Sequence, residues 1–290
     1  MSLCAITGTS GLVGGALVRR FRSAGWETRC LVRPARASPG EAPFELGKPL
    51  PPDLFNGVDA LVHCAYDWGA RGWQDIESVN VRGSIELCHS ALSSGVQRLV
   101  FISTVSAYHG CPSLYGRGKL MVEDVVRRSG GVVIRPGLVY GDASRGMFGA
   151  LYRLSGLPLL PIFDGGRQPL FLIHVDDLAS VVEVALRPDL AVAPEPITAA
   201  FPQPVTFQEL LQFLARARGK RLLCVPVPSR LALMGLRLLE AIGLPLPFRS
   251  DSLVSLLDAS ATVDFSGLDR LDVPMRDWRK EFDFSHLAAH

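Results

Sequence analysis

Tyr115 and Lys119 carry the most specific chemistry in the sequence. They are four residues apart in a predicted helix, so their side chains lie on one face of it. An ammonium group beside a phenol favours the phenolate and lowers the phenol pKa, which suits the tyrosine to move a proton at a carbonyl or alcohol. Thr104 ends the preceding predicted strand, where its hydroxyl can bond the same oxygen. The spacing alone leaves a surface Tyr–Lys pair without chemistry as the alternative.

A glycine-rich turn near the start of the chain is the second candidate site. The segment Thr7–Gly14 follows an apolar run, Leu3–Ile6, and precedes helix-forming residues from Ala16 onward. Glycine can take positive φ and lets a phosphate approach the backbone closely. The unpaired amides at the start of the next helix attract a pyrophosphate. An ordinary turn is the alternative, but the flanking strand and helix favour phosphate binding.

Strands and helices that alternate along the first half of the chain must position these residues. Periodicity predicts strands at 28–33, 59–65, 98–104 and 132–136, with helices at 73–94 and 115–128. The alternation implies an α/β fold, a Rossmann-type doubly wound parallel sheet with helices on both faces. Ligands of such sheets bind at the carboxyl ends of the strands, where both candidate sites fall.

The pattern of prolines and glycines changes beyond residue 145. We predict a Rossmann domain over residues 1–165, to which residues 170–187 return, and a smaller, mostly α-helical substrate-binding region over residues 188–290. In that region the apolar stretch 231–246 is interrupted by two charged residues. We expect it to be a buried or groove-facing helix, with membrane association as the alternative. Asp176 and Asp177 are expected to be a helix cap and structural acids, so no metal site is predicted.

Bulk composition excludes several classes of protein. The chain is 48% hydrophobic, and its net charge is only +2 with scattered basic residues, so neither a nucleic-acid face nor a membrane partner is expected. No apolar run reaches the roughly 18 residues of a membrane span, and no signal peptide is recognisable. The six cysteines have no metal-binding or disulfide spacing. We therefore expect buried, reduced thiols in a cytoplasmic protein.

Six segments together resemble the extended short-chain dehydrogenase/reductase family, which includes nucleotide-sugar epimerases and dehydratases. Their order and spacing cover about residues 3 to 186. The segments are the glycine turn Thr7–Gly14, Asp59–Ala65, Phe101–Tyr108, Tyr115-x-x-x-Lys119, Arg135–Gly141 and Ile173–Ala179. The resemblance implies an NAD(P)-dependent enzyme.

The resemblance also implies roles for single residues. Tyr115 is expected to be the catalytic acid/base, with Lys119 tuning it and binding the nicotinamide ribose, and Thr104 to be the family's catalytic Ser/Thr. Tyr108 is rejected as the base because Pro112 stands where a lysine is needed. The glycine turn, the following strand ends and the catalytic pair are expected to bind the cofactor through Gly8, Thr9, Ser10, Gly11, Leu12, Val13, Gly14, Arg33, Leu46, Cys64, Ala65, Tyr66, Tyr115, Lys119, Pro136, Leu138 and Val139.

The end of the second predicted strand decides the choice of cofactor. Members of the family that prefer NAD carry an acid there, which binds the ribose hydroxyls. This chain has Arg33, with Arg36 nearby, and arginine suits a 2′-phosphate. We expect NADP, and NAD stays possible if Arg33 only stacks on the adenine.

The substrate half departs from the family pattern. Sugar epimerases usually carry an arginine four residues before the histidine that is His174 here, and this chain has Leu170. Arg167 and Arg249 are the candidates for substrate binding. We expect an NAD(P)-dependent, epimerase/dehydratase-like oxidoreductase that acts on a secondary alcohol or ketone of a nucleotide sugar. An NADPH-dependent ketone reductase and a non-catalytic NADP sensor are the alternatives. The resemblance suggests a homodimer through residues 73–94 and 115–128.

Overall fold

The computed structural model describes residues 2–141, 145–187, 195–242, 249–260 and 262–281. In chain order, the strands are β1 (Leu3–Thr7), β2 (Glu27–Val32), β3 (Ala42–Pro43), β4 (Ala60–His63), β5 (Arg98–Ile102), β6 (Val132–Pro136), β7 (Leu138–Tyr140), β8 (Leu159–Phe163), β9 (Pro169–Leu170), β10 (Leu172–His174), β11 (Ile197–Ala199), β12 (Val205–Thr206) and β13 (Leu223–Val227). The α-helices are α1 (Leu12–Ser23), α2 (Gly72–Asp75), α3 (Gly83–Ser93), α4 (Leu114–Arg128), α5 (Gly146–Leu154), α6 (Val175–Ala185), α7 (Phe207–Ala217), α8 (Ser229–Ala241), α9 (Ser250–Leu257), α10 (Ser266–Asp269) and α11 (Trp278–Glu281).

Seven of the strands form one parallel sheet in the order β3-β2-β1-β4-β5-β6-β11. The chain builds outward from β1 in one direction to β3, then crosses back to β4 and builds in the other direction. The reversal opens a crevice beyond the carboxyl ends of β1 and β4, the usual ligand position in such sheets. The predicted Rossmann-type fold is confirmed.

Both faces of the sheet are covered, as the uninterrupted apolar strands predict. On one face, α1 and α6 pack against each other and enclose a core that includes Ile6, Leu17 and Val181. On the other face, α3 and α4 cover a second core that includes Leu61, Leu87 and Phe101. The predicted helix 73–94 is continuous but not uniform, because a π-helical segment, Ile76–Arg82, joins α2 to α3.

The start of α6 differs from the sequence expectation. An aspartate was expected to cap this helix, but the N-cap is His174, whose side chain accepts from the backbone N–H of Asp176 at 3.2 Å. Asp177 instead accepts from the backbone N–H of Arg276 at 2.9 Å and pairs with its guanidinium at 3.0 Å. The aspartate therefore ties α6 to a distant part of the chain.

The sheet and the smaller region exchange segments across the predicted boundaries. β11 lies beyond residue 187 yet forms an edge of the central sheet beside β6. Conversely, β8 lies before residue 165 but pairs in parallel with β13, outside the central sheet. A third core packs α5 against α7 around Phe148, Leu210 and Leu214.

The apolar helix expected within 231–246 is α8, and no side chain of it is buried. A buried helix is therefore the wrong half of that expectation, whereas the groove-facing half agrees with the structure, because Arg237, Glu240 and Ala241 line the large cleft described below. Residues 243–248 lie outside the described residues. No helix in the described ranges combines the length and hydropathy needed to cross a bilayer. The six cysteines, all in described segments, are free thiols.

Candidate active site

The turn between β1 and α1 requires glycine at defined positions. Gly8 has φ 68°, which disfavours other residues, and it lies against the backbone of Ala65. A Cβ on Gly14 would stand 2.3 Å from the carbonyl oxygen of Gly8, closer than any real contact. The N-cap of α1 is Gly11, which has no side chain to bond the first amides. The amides therefore stay available, and the geometry fits the pyrophosphate of a dinucleotide.

A buried polar chain fixes this turn to β4. The hydroxyl of Thr7 accepts from the backbone N–H groups of Cys64 and Ala65, both at 3.0 Å, so it donates to His63 Nδ1 at 2.8 Å. The other ring nitrogen of His63 then donates to Ser84 Oγ at 2.8 Å. Burial lowers the pKa of His63 to about 3, so the ring is neutral with its proton on Nε2.

Cys64 is also inert in this arrangement. Its thiol donates to the carbonyl of Thr7 at 2.7 Å. Burial raises the pKa of the thiol to about 12, partly opposed by Lys119, so the nucleophilic thiolate does not form. Cys64 therefore contributes shape and packing beside the turn.

Tyr115 and Thr104 meet at the base of the crevice. Tyr115 lies in the first turn of α4, where Ser113 caps the helix by accepting from the N–H of Gly116 at 3.0 Å. Thr104 lies two residues beyond β5, and the backbone N–H of Val105 still donates to the β6 residue Pro136 at 3.2 Å. The Thr104 hydroxyl is hydrogen-bonded to the Tyr115 hydroxyl, and both residues line the cleft.

The pKa of Tyr115 is raised, because burial of the phenol outweighs the hydrogen bond from Thr104 that lowers it. Lys119 does not reverse this direction. The phenol is therefore a neutral proton donor at neutral pH, which suits reduction of a carbonyl.

Lys119 lies one helical turn below Tyr115 and is buried. Its Nζ donates to the carbonyl of Ile102 at 2.8 Å and stands 4.5 Å from the centre of the Phe101 ring. Burial lowers the pKa of Lys119 to about 8, opposed by Cys64 and Glu123. The amine is thus mostly protonated at neutral pH but close to its titration point.

Glu123 extends the same helical stripe by another turn. It is fully buried and forms a bidentate ion pair with Arg135, which donates from Nε to Oε1 at 2.9 Å and from Nη2 to Oε2 at 2.6 Å. Ser103 also donates to Oε1. Because every member is bonded, this network holds α4 against β5 and β6 and thereby sets the height of Tyr115 and Lys119.

Aromatic side chains cover Tyr115 on the cleft side. The ring centroids of Tyr66 and Trp68 lie 5.0 and 5.2 Å from that of Tyr115. The loop that carries them is clamped by Asn80, which accepts from the backbone N–H of Asp67 at 2.7 Å and donates to its carbonyl at 3.0 Å. Asn80 therefore fixes the loop that carries Tyr66 and Trp68.

Asp251 was not found by sequence reasoning. Its carboxylate accepts from the backbone N–H of Leu114 at 2.8 Å and of Tyr115 at 3.1 Å, so a residue of α9 bonds the first amides of α4. The neighbouring Arg249 donates to the carbonyl of Trp68 at 3.1 Å. No local pattern marks Asp251, because its partners lie more than 130 positions earlier in the chain.

A cleft of about 1610 Å³ joins these features. It runs from the glycine turn past Tyr115 to α8 and α9. It brings together the predicted residues Gly8, Ser10, Gly11, Leu12, Val13, Gly14, Arg33, Leu46, Cys64, Ala65, Tyr66, Thr104, Tyr115, Lys119, Pro136, Leu138, Val139 and Arg249. Thr9 and Arg167 do not line the cleft: Thr9 sits inside the turn, and Arg167 is exposed elsewhere. In the described part of the chain, no three His, Cys, Asp or Glu side chains are grouped to hold a metal ion.

Comparison with known proteins finds sequence relatives that include a reductase and an epimerase. A ceramide reductase of Caulobacter vibrioides is 30% identical over 186 residues, which is 61% of this chain and 58% of that protein. The chain spans a similar share, 57%, of an Arabidopsis thaliana chloroplast relative. A UDP-glucose 4-epimerase of Vibrio cholerae is 26% identical over 262 residues, covering 77% of this chain and 78% of that protein.

Solved structures share the fold. A short-chain dehydrogenase/reductase superfamily protein from Agrobacterium tumefaciens with bound NAD superposes with a TM-score of 0.65 at 20% identity, covering 87% of this chain and 94% of that one. A profile of the NAD dependent epimerase/dehydratase family matches residues 4–199, which is more than half of the chain. The chain therefore belongs to this family of NAD-dependent enzymes.

Proposed function

We propose that the protein is an NAD(P)-dependent oxidoreductase that interconverts a ketone and a secondary alcohol. The observation that carries this is the bonded pair of Thr104 and Tyr115 above the buried Lys119, in the cleft that begins at the glycine turn. A nicotinamide bound in that cleft supplies or accepts the hydride. A protein that only senses a nucleotide needs the glycine turn but has no need of Thr104, Tyr115 and Lys119.

In the direction of reduction, Tyr115 gives its proton to the carbonyl oxygen while the carbonyl carbon gains the hydride. The C=O π bond is lost, one C–H and one O–H bond form, and solvent returns a proton to Tyr115. Thr104 orients the same oxygen, and the Lys119 ammonium stabilises the phenolate that remains. In oxidation of the alcohol each transfer runs backwards.

The substrate that we favour is apolar around its carbonyl. Tyr66 and Trp68 cover Tyr115, and Phe171 and Leu170 also line the cleft. Arg167, the expected replacement for the arginine missing at Leu170, does not reach it. The similarity to a ceramide reductase supports the same choice, because a ceramide is a lipid.

The test is turnover of NADPH or NADH with a panel of small and long-chain ketones. We expect Tyr115→Phe to lower kcat/KM by at least about 100-fold, the usual contribution of a positioned proton donor. Tyr108→Phe is the matched control, since Tyr108 also lines the cleft but its hydroxyl bonds the carbonyl of Asp258. Equal turnover in wild type and Tyr115→Phe would refute the mechanism.

A nucleotide-sugar epimerase is the second candidate function. Arg237 and Arg249 both line the far part of the cleft, where arginines suit a diphosphate, and the chain resembles a UDP-glucose 4-epimerase. An epimerase returns the hydride to the sugar, so nicotinamide absorbance would not change while the 4-epimer accumulates. Loss of that activity in Arg249→Gln would favour this candidate over the ketone reductase.

We further propose a preference for NADP. Arg33 and Arg36 line the cleft just past β2, and residues 33–37 there include no carboxylate for the ribose hydroxyls. We expect Arg33→Ser to weaken NADP binding about tenfold to a hundredfold, the value of one charge-assisted hydrogen bond, and to leave NAD binding unchanged. Arg71→Ser is the control at another cleft arginine. Equal loss for both cofactors would mean that Arg33 only stacks on the adenine.

A homodimer through the helices at 73–94 and 115–128 also stays our proposal. The half-exposed Met121 on α4 supports it, because dimer faces are often apolar. Light scattering on wild type and Met121→Glu tests it: a mass of one chain for wild type would refute the dimer.

A further inference from the structure

Helix α8 is apolar on the side that faces away from the molecule. Leu231, Met234, Leu238 and Ile242, the residue just after the helix, follow spacings of three and four and therefore form one stripe. Their exposed fractions are 56%, 65%, 65% and 66%. We call these four residues the outer face of α8.

The opposite side of α8 is already engaged. Helix α8 packs against α9, and the Glu240 carboxylate accepts from the backbone N–H and the hydroxyl of Ser250 at 2.7 and 2.6 Å. The helix is thus fixed with its outer face away from α9. A stripe of large apolar side chains at such exposure is unusual for a surface that meets only water.

Charge identifies the occupant of the outer face. Arg230 and Arg237 are exposed and seven residues apart, so they flank the stripe on one side. Over residues 229–242 the charged residues are Arg230, Arg237 and Glu240, and the one acid is already bonded to Ser250, so the helix is net basic. Two copies of such a face would repel each other, whereas an anionic lipid surface attracts it and accepts its leucines.

We propose that the outer face of α8 docks on the surface of an anionic membrane. The helix then lies in the headgroup region, with its leucines in the acyl boundary and its arginines at the phosphates. Sequence analysis expected no membrane partner for the chain as a whole and kept membrane association only as the alternative for residues 231–246. Because no helix in the described ranges is long and apolar enough to span a bilayer, the contact that we propose is peripheral. The docking does not depend on the proposed function.

Docking in this way would bring the cleft to the lipid. Arg237, Glu240 and Ala241 line the cleft from the same helix whose other residues form the outer face. A substrate with a long apolar chain could therefore pass from the bilayer to Tyr115 without crossing water. If the ketone reductase proposal fails, the membrane contact still stands as a separate property of the surface.

The test is flotation of the whole protein with vesicles of phosphatidylcholine alone and of phosphatidylcholine with phosphatidylglycerol. We expect binding only to the second kind, weakened by salt. Met234→Glu should reduce the bound fraction by about tenfold or more, since it places a charge in the apolar boundary. Leu157→Glu is the matched control, an exposed large apolar residue outside α8 given the same substitution.

Three results would overturn the proposal. The first is no binding of wild type to anionic vesicles, and the second is an equal effect of the two glutamate variants. The third is a wild-type dimer that Met234→Glu converts to a monomer, without vesicle binding by either, which would assign the face to a second copy. Circular dichroism melting of both variants guards against misfolding, and Arg230→Gln with reduced binding would confirm the charge argument independently.

Discussion

Gly14 and Gly15 offer a matched test of the glycine turn, because they are adjacent residues of α1 with different surroundings. A Cβ on Gly14 would lie 2.3 Å from the oxygen and 2.6 Å from the carbon of Gly8, and 2.8 Å from Cα of Thr9. All three are backbone atoms and cannot rotate away. A Cβ on Gly15 would meet Thr9 O at 3.5 Å and the flexible end of Arg19 at 3.8 Å, which are ordinary contacts.

The two alanine variants should therefore change stability in opposite directions. In each variant the free energy of unfolding gains about 0.5–1 kcal/mol from helix propensity, because alanine is favoured over glycine within a helix. Gly15→Ala keeps this gain. Gly14→Ala must also separate α1 from the end of β1, and overpacking of this kind costs about 1–3 kcal/mol. The difference between the two variants is then about 1–3 kcal/mol.

Cofactor affinity should separate them more strongly. Moving the start of α1 by even a few tenths of an ångström weakens the amide contacts to a pyrophosphate, and one lost charge-assisted hydrogen bond is worth about 1.5–3 kcal/mol. We expect Kd for the dinucleotide to rise by about tenfold to a hundredfold in Gly14→Ala and to stay unchanged in Gly15→Ala.

Urea unfolding and titration calorimetry with NADP and NAD measure the two effects. Unchanged affinity in Gly14→Ala, or equal weakening in both variants, would refute the assignment of this turn to the pyrophosphate. Melting with and without nucleotide shows whether each variant is folded before binding is compared.

Three further predictions concern residues below and beside the site. The pKa of Lys119 falls from 10.5 to about 8 on folding, so between those pH values the unfolded chain binds more protons and this residue makes the free energy of unfolding rise with pH. Urea unfolding of wild type at pH 7.5 and 9.5 should show this rise, and Lys119→Met should lack it. The same change between the two pH values in wild type and variant would contradict the prediction. Asp251→Asn should lower the free energy of unfolding by about 0.5–2 kcal/mol, because the amides of α4 lose their carboxylate acceptor, and it should also reduce kcat. Asp258→Asn, in the same segment, should change neither quantity. Thermal melting and initial rates measure the two effects. Glu123→Gln breaks the buried ion pair with Arg135 and should lower the free energy of unfolding by about 3–5 kcal/mol, measured in urea. Glu77→Gln, at the exposed pair with Arg82, should lower it by less than about 1 kcal/mol. Similar losses in the two variants would argue against a structural network around Glu123.

Much of the fold could be predicted because its signals are local. The central strands are short apolar runs bounded by turn residues, and β6 occupies the predicted residues 132–136. The glycine turn likewise depends on residues within one strand–turn–helix unit. Helix caps were less certain: His174 caps α6, since its ring reaches the amide of Asp176 at a position where aspartate is the commoner choice.

The rest of the site depends on contacts between distant segments. Asp251 reaches the amides of α4 from the far end of the chain, and nothing in the residues around it announces this. The direction of the Tyr115 pKa was also missed, because burial by Tyr66 and Trp68 cannot be read from a Tyr-x-x-x-Lys spacing. The exposure of α8 was missed since an apolar stretch has the same composition whether it packs inward or outward.

The hydrogen-bond chain from Thr7 through His63 to Ser84 restricts how this sequence can vary. Donation runs one way along it and ends at the carbonyl of Asn80, so each member must both accept and donate. Replacing one member strands a buried polar neighbour, at about 1–3 kcal/mol. Exchanging the whole set for apolar residues does not avoid this cost, because the backbone N–H groups of Cys64 and Ala65 would still lose the Thr7 hydroxyl that accepts from them. Folded variants of this protein selected after random mutagenesis should therefore keep a hydroxyl at position 7.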